Sequence, residues 1–134
     1  MALFERISRY RTGLNLPPDR VQATYLWLVE GGVFIGEIAI RHRLNDALTR
    51  YGGHIGYGVR FSAWNKGVGT KMLAMALEYI KEEIGLDEVL ITCDDENCGS
   101  ARVIEKNGGV LHDRVLNSID GVDVITRRYW ISLA

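Results

Sequence analysis

The sequence predicts a mixed α/β fold: an antiparallel front half, one parallel strand–helix–strand crossover and a closing C-terminal hairpin. Three observations predict it. Two β-rich runs, 22–30 and 33–41, are separated by Gly31 and Gly32, and two more, 110–116 and 122–133, are joined through Asp120 and Gly121. Between these pairs an apolar helical stripe at 67–84 follows a strand-like run at 52–60 and precedes another at 88–93. Hairpin turns of type I′ need positive φ at both central residues, which glycine supplies. A strand, a helix and a strand in that order imply a parallel, right-handed crossover.

Each element has its own local reason. Residues 2–11 carry Leu3, Phe4, Ile7 and Tyr10 among charges, offsets that fit one face of a short helix. Gly13 would end that helix, and Pro17 and Pro18 prevent its continuation. Run 22–30 contains Thr24, Tyr25, Leu26, Trp27, Leu28 and Val29, the residue types of a strand buried on both faces or nearly so. The polar stretch 41–51 is expected to be a connector with a helical turn. Strand 52–60 holds glycines at 52, 53, 56 and 58, and interior glycines point to a bulge or a close backbone approach. A loop at 61–66 leads into helix 67–84, whose stripe is Leu73, Leu77, Ile80 and Ile84 and whose stop is Gly85. Run 88–93 is a short apolar strand of the fully buried type. The acidic residues Asp94, Asp95 and Glu96 form a loop, and a short helix at 100–107 stops at Gly108 and Gly109.

Composition narrows the function. The chain has 134 residues, 47% apolar and 25% charged, which is one globular domain spanning 1–134. Sixteen basic against 17 acidic side chains leave a net charge of −1, so no nucleic-acid partner is expected. No apolar run approaches the roughly 20 residues of a membrane span, so no membrane partner is expected. The start lacks the apolar stretch of a signal peptide, and a cytoplasmic protein is expected. Cys93 and Cys98 are too few for a disulfide framework; with His42, His54 and His112 scattered, they do not have zinc-site spacing either, and no metal is expected. The 15 glycines against 2 prolines are off average, so their positions matter.

The informative stretch is Lys66, Gly67, Val68, Gly69, Thr70, Lys71, directly after a strand and at the head of a long helix. A helix N-terminus presents unpaired N–H groups and partial positive charge, and glycines let an anion approach that backbone. The same fragment also reads as a glycine-eased turn with no ligand. A P-loop would need four residues between its first Gly and the Gly-Lys-Ser/Thr, which are absent, and a dinucleotide fingerprint would need glycine where Met72 stands.

Tyr57-Gly58-Val59-Arg60, followed by Trp64-Asn65-Lys66-Gly67-Val68-Gly69-Thr70, resembles the GNAT superfamily of acetyl-CoA-dependent N-acyltransferases. Its signature there is Arg/Gln-x-x-Gly-x-Gly/Ala after a strand ending in Val-Arg. A second block, Asn97-Cys98-Gly99-Ser100-Ala101 and then Val103-Ile104-Glu105-Lys106-Asn107-Gly108-Gly109, is similar to the family's Asn-x-x-Ser/Ala helix ending in Lys-x-Gly. The resemblance covers roughly residues 25–131. It implies a GNAT-like fold and acetyl-CoA as co-substrate. The backbone of Asn65, Lys66, Gly67, Val68, Gly69 and Thr70 would hold the pyrophosphate, and the strand edge at Tyr57, Gly58 and Val59 would pair with the pantetheine arm. Asn97 would touch that arm, and Ser100 would lie near the cofactor.

The chain departs from the family pattern in three places. Trp64 stands where the signature has Arg or Gln, and Lys66, Lys71 or the indole itself can compensate. Ile104 stands where many members carry a tyrosine that protonates the leaving thiolate. The family's usual first strand and helix are expected to be missing, and a homodimer, with exchange of a terminal strand as one form of it, is expected to cover what that leaves open.

Acyl transfer to an amine needs a neutral nucleophile and a stabilised oxyanion. His54, which titrates near neutrality, is the candidate base or proton relay, with a structural hydrogen bond as its other reading. Tyr129 and Asp94 are alternatives, and Glu37 has a side that sequence does not fix. Cys93 at a buried strand end reads as inert. The acidic loop is expected to be solvated and able to attract a cationic amine. The expected function is transfer of an acetyl group to a small amine or a peptide amine by direct attack in a ternary complex. The alternative is an acyl-CoA-binding sensor or interaction module.

Overall fold

The computed structural model describes residues 2–6, 10–12, 16, 20–59 and 67–134. Among them seven strands form one sheet in the order β1-β2-β3-β4-β5-β7-β6. The strands are β1 (Ala2–Arg6), β2 (Ala23–Glu30), β3 (Val33–Arg41), β4 (Ile55–Val59), β5 (Glu88–Asp94), β6 (Val110–Ile119) and β7 (Val122–Ser132). Helix α1 (Val68–Tyr79) runs into a wider turn at Ile80–Ile84, and α2 (Cys98–Lys106) follows β5. Strands β1 to β4 are antiparallel neighbours, β4 and β5 are parallel, and β5, β7 and β6 are antiparallel again. This is the antiparallel front, single parallel crossover and closing hairpin of the sequence reading.

Both hairpins turn where the sequence placed them. Gly31 and Gly32 have φ of 56° and 78°, and Asp120 and Gly121 have φ of 51° and 78°. Helix 67–84 is helical throughout but widens after Tyr79, and Gly85 closes it at φ 82°, its N–H donating to Ile80 O. Helix α2 begins two residues earlier than expected, because Asn97 Oδ1 accepts from Ser100 N at 3.0 Å and caps it.

Residues 2–6 are a strand, not the start of a helix. Leu3 pairs with Leu28 and is half-buried against the core, whereas Phe4 pairs with Trp27 and is exposed. That two-residue alternation, with the open edge of β2 alongside, outweighs the helix-like spacing of Leu3, Phe4 and Ile7. The expectation that a first strand is missing is therefore corrected: β1 precedes and pairs with β2. Gly13, Pro17 and Pro18 lie outside the described residues, as does the loop 61–66.

One face of the sheet carries the core. Leu26, Leu28, Ile38, Ile40 and Ile55 pack there against Met72, Leu73, Ala76 and Ile80 of the α1 segment, and Ile91, Tyr129 and Ile131 pack with Ala101 and Ile104 of α2. Each fully buried aliphatic side chain contributes about 1.5–3 kcal/mol. No helix among the described residues is long and apolar enough to cross a membrane.

The junction of β4 with β5 is held by a local knot. Gly53 has φ 67°, and a Cβ placed on it would stand 2.6 Å from Leu90 O. His54 N donates to Leu90 O at 2.7 Å, and Leu90 N donates to His54 Nδ1 at 2.9 Å. His54 O accepts from Arg41 N at 2.6 Å, so one residue joins β3, β4 and β5. The late start of β4 follows from this, since residues 52–54 are spent on the turn and the knot rather than on the strand.

Two expectations arise from the knot. Gly53→Ala combines a left-handed φ with a backbone collision and should lower stability by about 2 kcal/mol or more; a urea midpoint equal to wild type would show that there is room at Leu90. Burial holds the His54 imidazole below its ordinary 6.5, with Arg41 repelling the charged form as well. A depressed folded-state value contributes stability above the unfolded value that is lost as pH falls through the folded one. His42, lowered by burial and opposed by Glu5, acts in the same direction. The urea midpoint should thus fall between about pH 7 and about pH 5. It should fall less steeply in His54→Asn, whose amide oxygen accepts from Leu90 N–H without titrating. Equal slopes in the two proteins would remove His54 from the effect.

Candidate functional site

Strands β4 and β5 share one register pair, Ile55↔Ile91. Beyond it no ladder pair joins them among the described residues, while β4 continues to pair with β3 through Tyr57, Gly58 and Val59. A groove of about 590 Å³ lies alongside β4 beyond that pair. Its walls are Tyr57, Gly58 and Val59, the head of α1 (Gly67, Val68, Gly69, Thr70), and one side of α2 (Asn97, Gly99, Ser100, Arg102, Val103, Lys106). Every described residue that the sequence reading placed beside a cofactor is on that wall. Asn65 and Lys66 lie outside the described residues.

The head of α1 is open toward the groove. Gly67 sits at its N-terminus with φ 73°, no side chain among the described residues caps the helix, and no acidic residue occupies its first turn. A Cβ on Gly67 or Gly58 would meet nothing within 4 Å, so backbone faces free space at both. Gly69 is different: a Cβ there would stand 3.4 Å from Val103 Cγ2, which records how closely α1 and α2 approach. Asn107 Nδ2 strengthens that contact by donating to Val103 O at 2.9 Å and to Thr70 O at 3.2 Å.

At the other end of the groove Tyr57 Oη and Ser100 Oγ share a hydrogen bond of 2.7 Å across β4 and α2. Burial pushes the Tyr57 phenol above its ordinary 10, only partly offset by the Ser100 contact. The hydroxyl therefore stays un-ionised at neutral pH. Asn97 contributes through its cap to Ser100 N, which uses its carbonyl oxygen. Arg102, Val103, Lys106 and Gly99 were not singled out in the sequence. Their spacing, with Gly99, Val103 and Lys106 at i, i+4 and i+7, is the signal that would have placed them on one face of α2.

The catalytic candidates fall elsewhere. His54 does not line the groove; it is 6% exposed, engaged at Nδ1, and packed edge-on to Trp130. Tyr129 is 1% exposed within the core and donates to Glu105 Oε2 at 2.7 Å, away from the groove wall. Burial, then that bond, raises its phenol above the ordinary value. Ile104 is fully buried beneath α2. Glu37 pairs with Trp27 and Gly58, on the face opposite the core, and its Oε2 accepts from Arg6 Nε at 3.0 Å and Trp27 Nε1 at 2.6 Å. Cys93 is half-buried, and burial pushes its thiol up to about 11. The acidic loop is not simply solvated: Asp95 Oδ1 accepts from Arg114 Nε and Arg127 Nε, each at 2.8 Å. Those bonds hold its carboxyl below the ordinary range, and the two arginines offset its pull on a cation. No group of three or more His, Cys, Asp or Glu side chains among the described residues is placed to hold a metal ion.

Comparison with known proteins supplies the context for this geometry. The family model for the acetyltransferase (GNAT) domain matches residues 4–110. A variant of the spermidine N-acetyltransferase SpeG from Vibrio cholerae matches with a TM-score of 0.69 at 16% identity, over 83% of this chain and 66% of that one. The ribosomal-protein-S5-alanine acetyltransferase from Vibrio fischeri matches with a TM-score of 0.69 at 18% identity, over 82% of this chain and 61% of that one. The yncA protein from Salmonella typhimurium, solved with its cofactor acetyl-CoA, matches with a TM-score of 0.65 at 17% identity, over 84% and 65%. The chain thus spans a little under two thirds of the length of these structures, and the likeness to them is one of fold. No curated protein matches the sequence. The family match covers most of the chain and begins within β1: the chain belongs to the GNAT acetyltransferase family.

Proposed function

We propose that this chain is an acetyl-CoA-dependent N-acetyltransferase acting on a small amine or a peptide amine. One observation carries the reading. Tyr57, Gly58, Val59, Gly67, Val68, Gly69, Thr70, Asn97 and Ser100, assigned to the cofactor from two separate sequence blocks, converge on a single groove of about 590 Å³. That volume is in the range of small-molecule sites.

The residues fit the cofactor in kind. The head of α1, without a side-chain cap among the described residues, offers N–H donors and partial positive charge to a pyrophosphate, with Gly67 leaving space for close approach. The stretch of β4 at Tyr57 and Gly58, which lines the groove beyond the pair of Ile55 with Ile91, would offer main chain to the amides of a pantetheine arm, as an added strand would take it. Acetyl-CoA would supply an activated thioester. The chain's own residues would orient it, with Tyr57 and Ser100 as neutral hydroxyl donors near its reactive end. Transfer would be by direct attack of a neutral amine, because Cys93 is kept as a thiol by burial and makes a poor nucleophile. His54 would serve the site by fixing the β4–β5 junction.

A second reading, an acyl-CoA-binding sensor, is favoured by one feature: the α2 position that carries a tyrosine acid in many relatives is Ile104, sealed in the core. The two readings separate by experiment. Acetyl-CoA at about 100 times its Kd should stabilise the fold by about 2.7 kcal/mol. Gly67→Asp should abolish that stabilisation while costing only about 1 kcal/mol itself, from its left-handed φ. Thiol release on adding primary amines supports the transferase, and binding without release supports the sensor. Absence of stabilisation by acetyl-CoA, CoA and longer acyl-CoAs would sink both.

A further inference from the structure

Alternation along β4 divides its residues between the two faces of the sheet. Tyr57 turns toward α2, where its Oη meets Ser100 Oγ at 2.7 Å, so Gly56 and Gly58 turn toward the opposite face. A Cβ on Gly58 would meet nothing within 4 Å there. Gly56 is covered instead by a cation: a Cβ on it would stand 3.3 Å from Arg41 Nη1 and 3.4 Å from Arg41 Nη2. Arg41 reaches it from the end of β3, next to Ile40, which faces the core.

The Arg41 charge is unanswered. Its Nη1 donates to Gly52 O at 3.1 Å, and it forms no ion pair among the described residues. Burial holds its guanidinium below the ordinary arginine value, with Tyr25 opposing that shift and Arg20 adding to it. Two other charged groups on this face are already spent: Glu37 accepts from Arg6 and Trp27, and Arg128 is held by Asp113. Asp94 is not spent. Thr92 turns to this face, its Oγ1 donating to Tyr51 O, and Asp94 follows it by two residues. The Asp94 residue is exposed and forms no ion pair among the described residues. Counting from the pair of Ile55 with Ile91, Asp94 stands level with Gly58, about 7 Å along the strands from Gly56.

An unanswered guanidinium and an unanswered carboxylate at that separation complement a small zwitterion. A carboxylate takes two parallel hydrogen bonds from the arginine fork, which suits a guanidinium whose burial is not repaid by a partner. We propose that the acceptor is an amino acid or close analogue, held on the sheet face opposite α2 with its carboxylate on Arg41 and its amine toward Asp94 and Gly58. This rests on the transferase reading above and narrows its acceptor from amines in general to amines that carry an acid. The bare Gly58, which also lines the groove, leaves no β4 side chain between that amine and the cofactor.

The test is calorimetric titration of the CoA-saturated protein, which holds no acyl group to transfer. The probes are L-alanine, L-leucine, L-lysine and L-glutamate, each beside its α-carboxamide. The amide keeps the amine and the side chain and removes the α-carboxylate charge. In wild type at least one acid should bind at least about tenfold more tightly than its amide, the scale of charge-assisted hydrogen bonds. Arg41→Gln should erase that difference, and Arg41→Lys, which keeps the charge without the fork, should retain part of it. Asp94→Asn, at an exposed position, should weaken acid and amide alike, since both carry the amine. Urea midpoints identify a variant that does not fold. Where Arg41→Gln fails because Gly52 O has lost its donor, Arg41→Lys and the wild-type comparison decide. No binding of any probe, an amide bound as tightly as its acid, or an acid preference untouched by the Arg41 substitutions overturns the proposal. Wild type that does not bind CoA overturns the cofactor reading instead.

Discussion

The site depends on a restriction in the sheet: two parallel strands that touch at one point. Among the described residues Ile55 and Ile91 are their one register pair, and the knot of Gly53, His54 and Leu90 fastens them immediately before it. Because that end is fixed, the rest of β4 can leave β5 without the sheet falling apart; its pairing with β3 is kept through Gly36, Glu37 and Ile38. A fully zipped parallel pair would have buried the β4 edge and left no groove. The buried histidine is therefore connected to function by what it restrains, although its ring does not reach the site.

Helix α2 divides two tasks between its faces. One side is committed to the core through Ala101 and Ile104, with Glu105 anchoring the buried Tyr129 hydroxyl. The other carries Ser100, Arg102, Val103 and Lys106 along the groove. A tyrosine at position 104 would compete with that core packing, since Ile104 is fully buried and hydrophobic neighbours surround it. The loss of a phenol there and the integrity of the core are one physical choice.

Much of this was legible in the chain itself, for identifiable reasons. Gly31–Gly32 and Asp120–Gly121 announced their hairpins because positive φ is written directly into residue type. The groove residues were legible because glycine positions and the Asn-x-x-Ser spacing are tied to backbone exposure and helix capping, which are local. Strand β1 was not legible: its five residues pair with β2 across a long sequence separation, and Leu3, Phe4 and Ile7 satisfy a helical period, whereas in the strand Leu3 turns to the core and Phe4 is exposed. The sites of His54 and Tyr129 were not legible either, because residue type gives titration chemistry but not which neighbours a side chain meets. Arg102 and Lys106 resemble any solvated helical pair until the fold shows what they face.

The seam between the two helices has a mechanical consequence. Gly69 against Val103 and Asn107 bridging to Thr70 tie α1 to α2 where the two helices flank the groove. The opposite wall is the strand side, where β4 keeps its ladder to β3 and joins β5 through Ile55 and Ile91, so the groove is bounded by a helix pair on one side and by the sheet on the other. A substitution that loosens the helix seam would therefore change the width of the groove even where every residue lining it is retained.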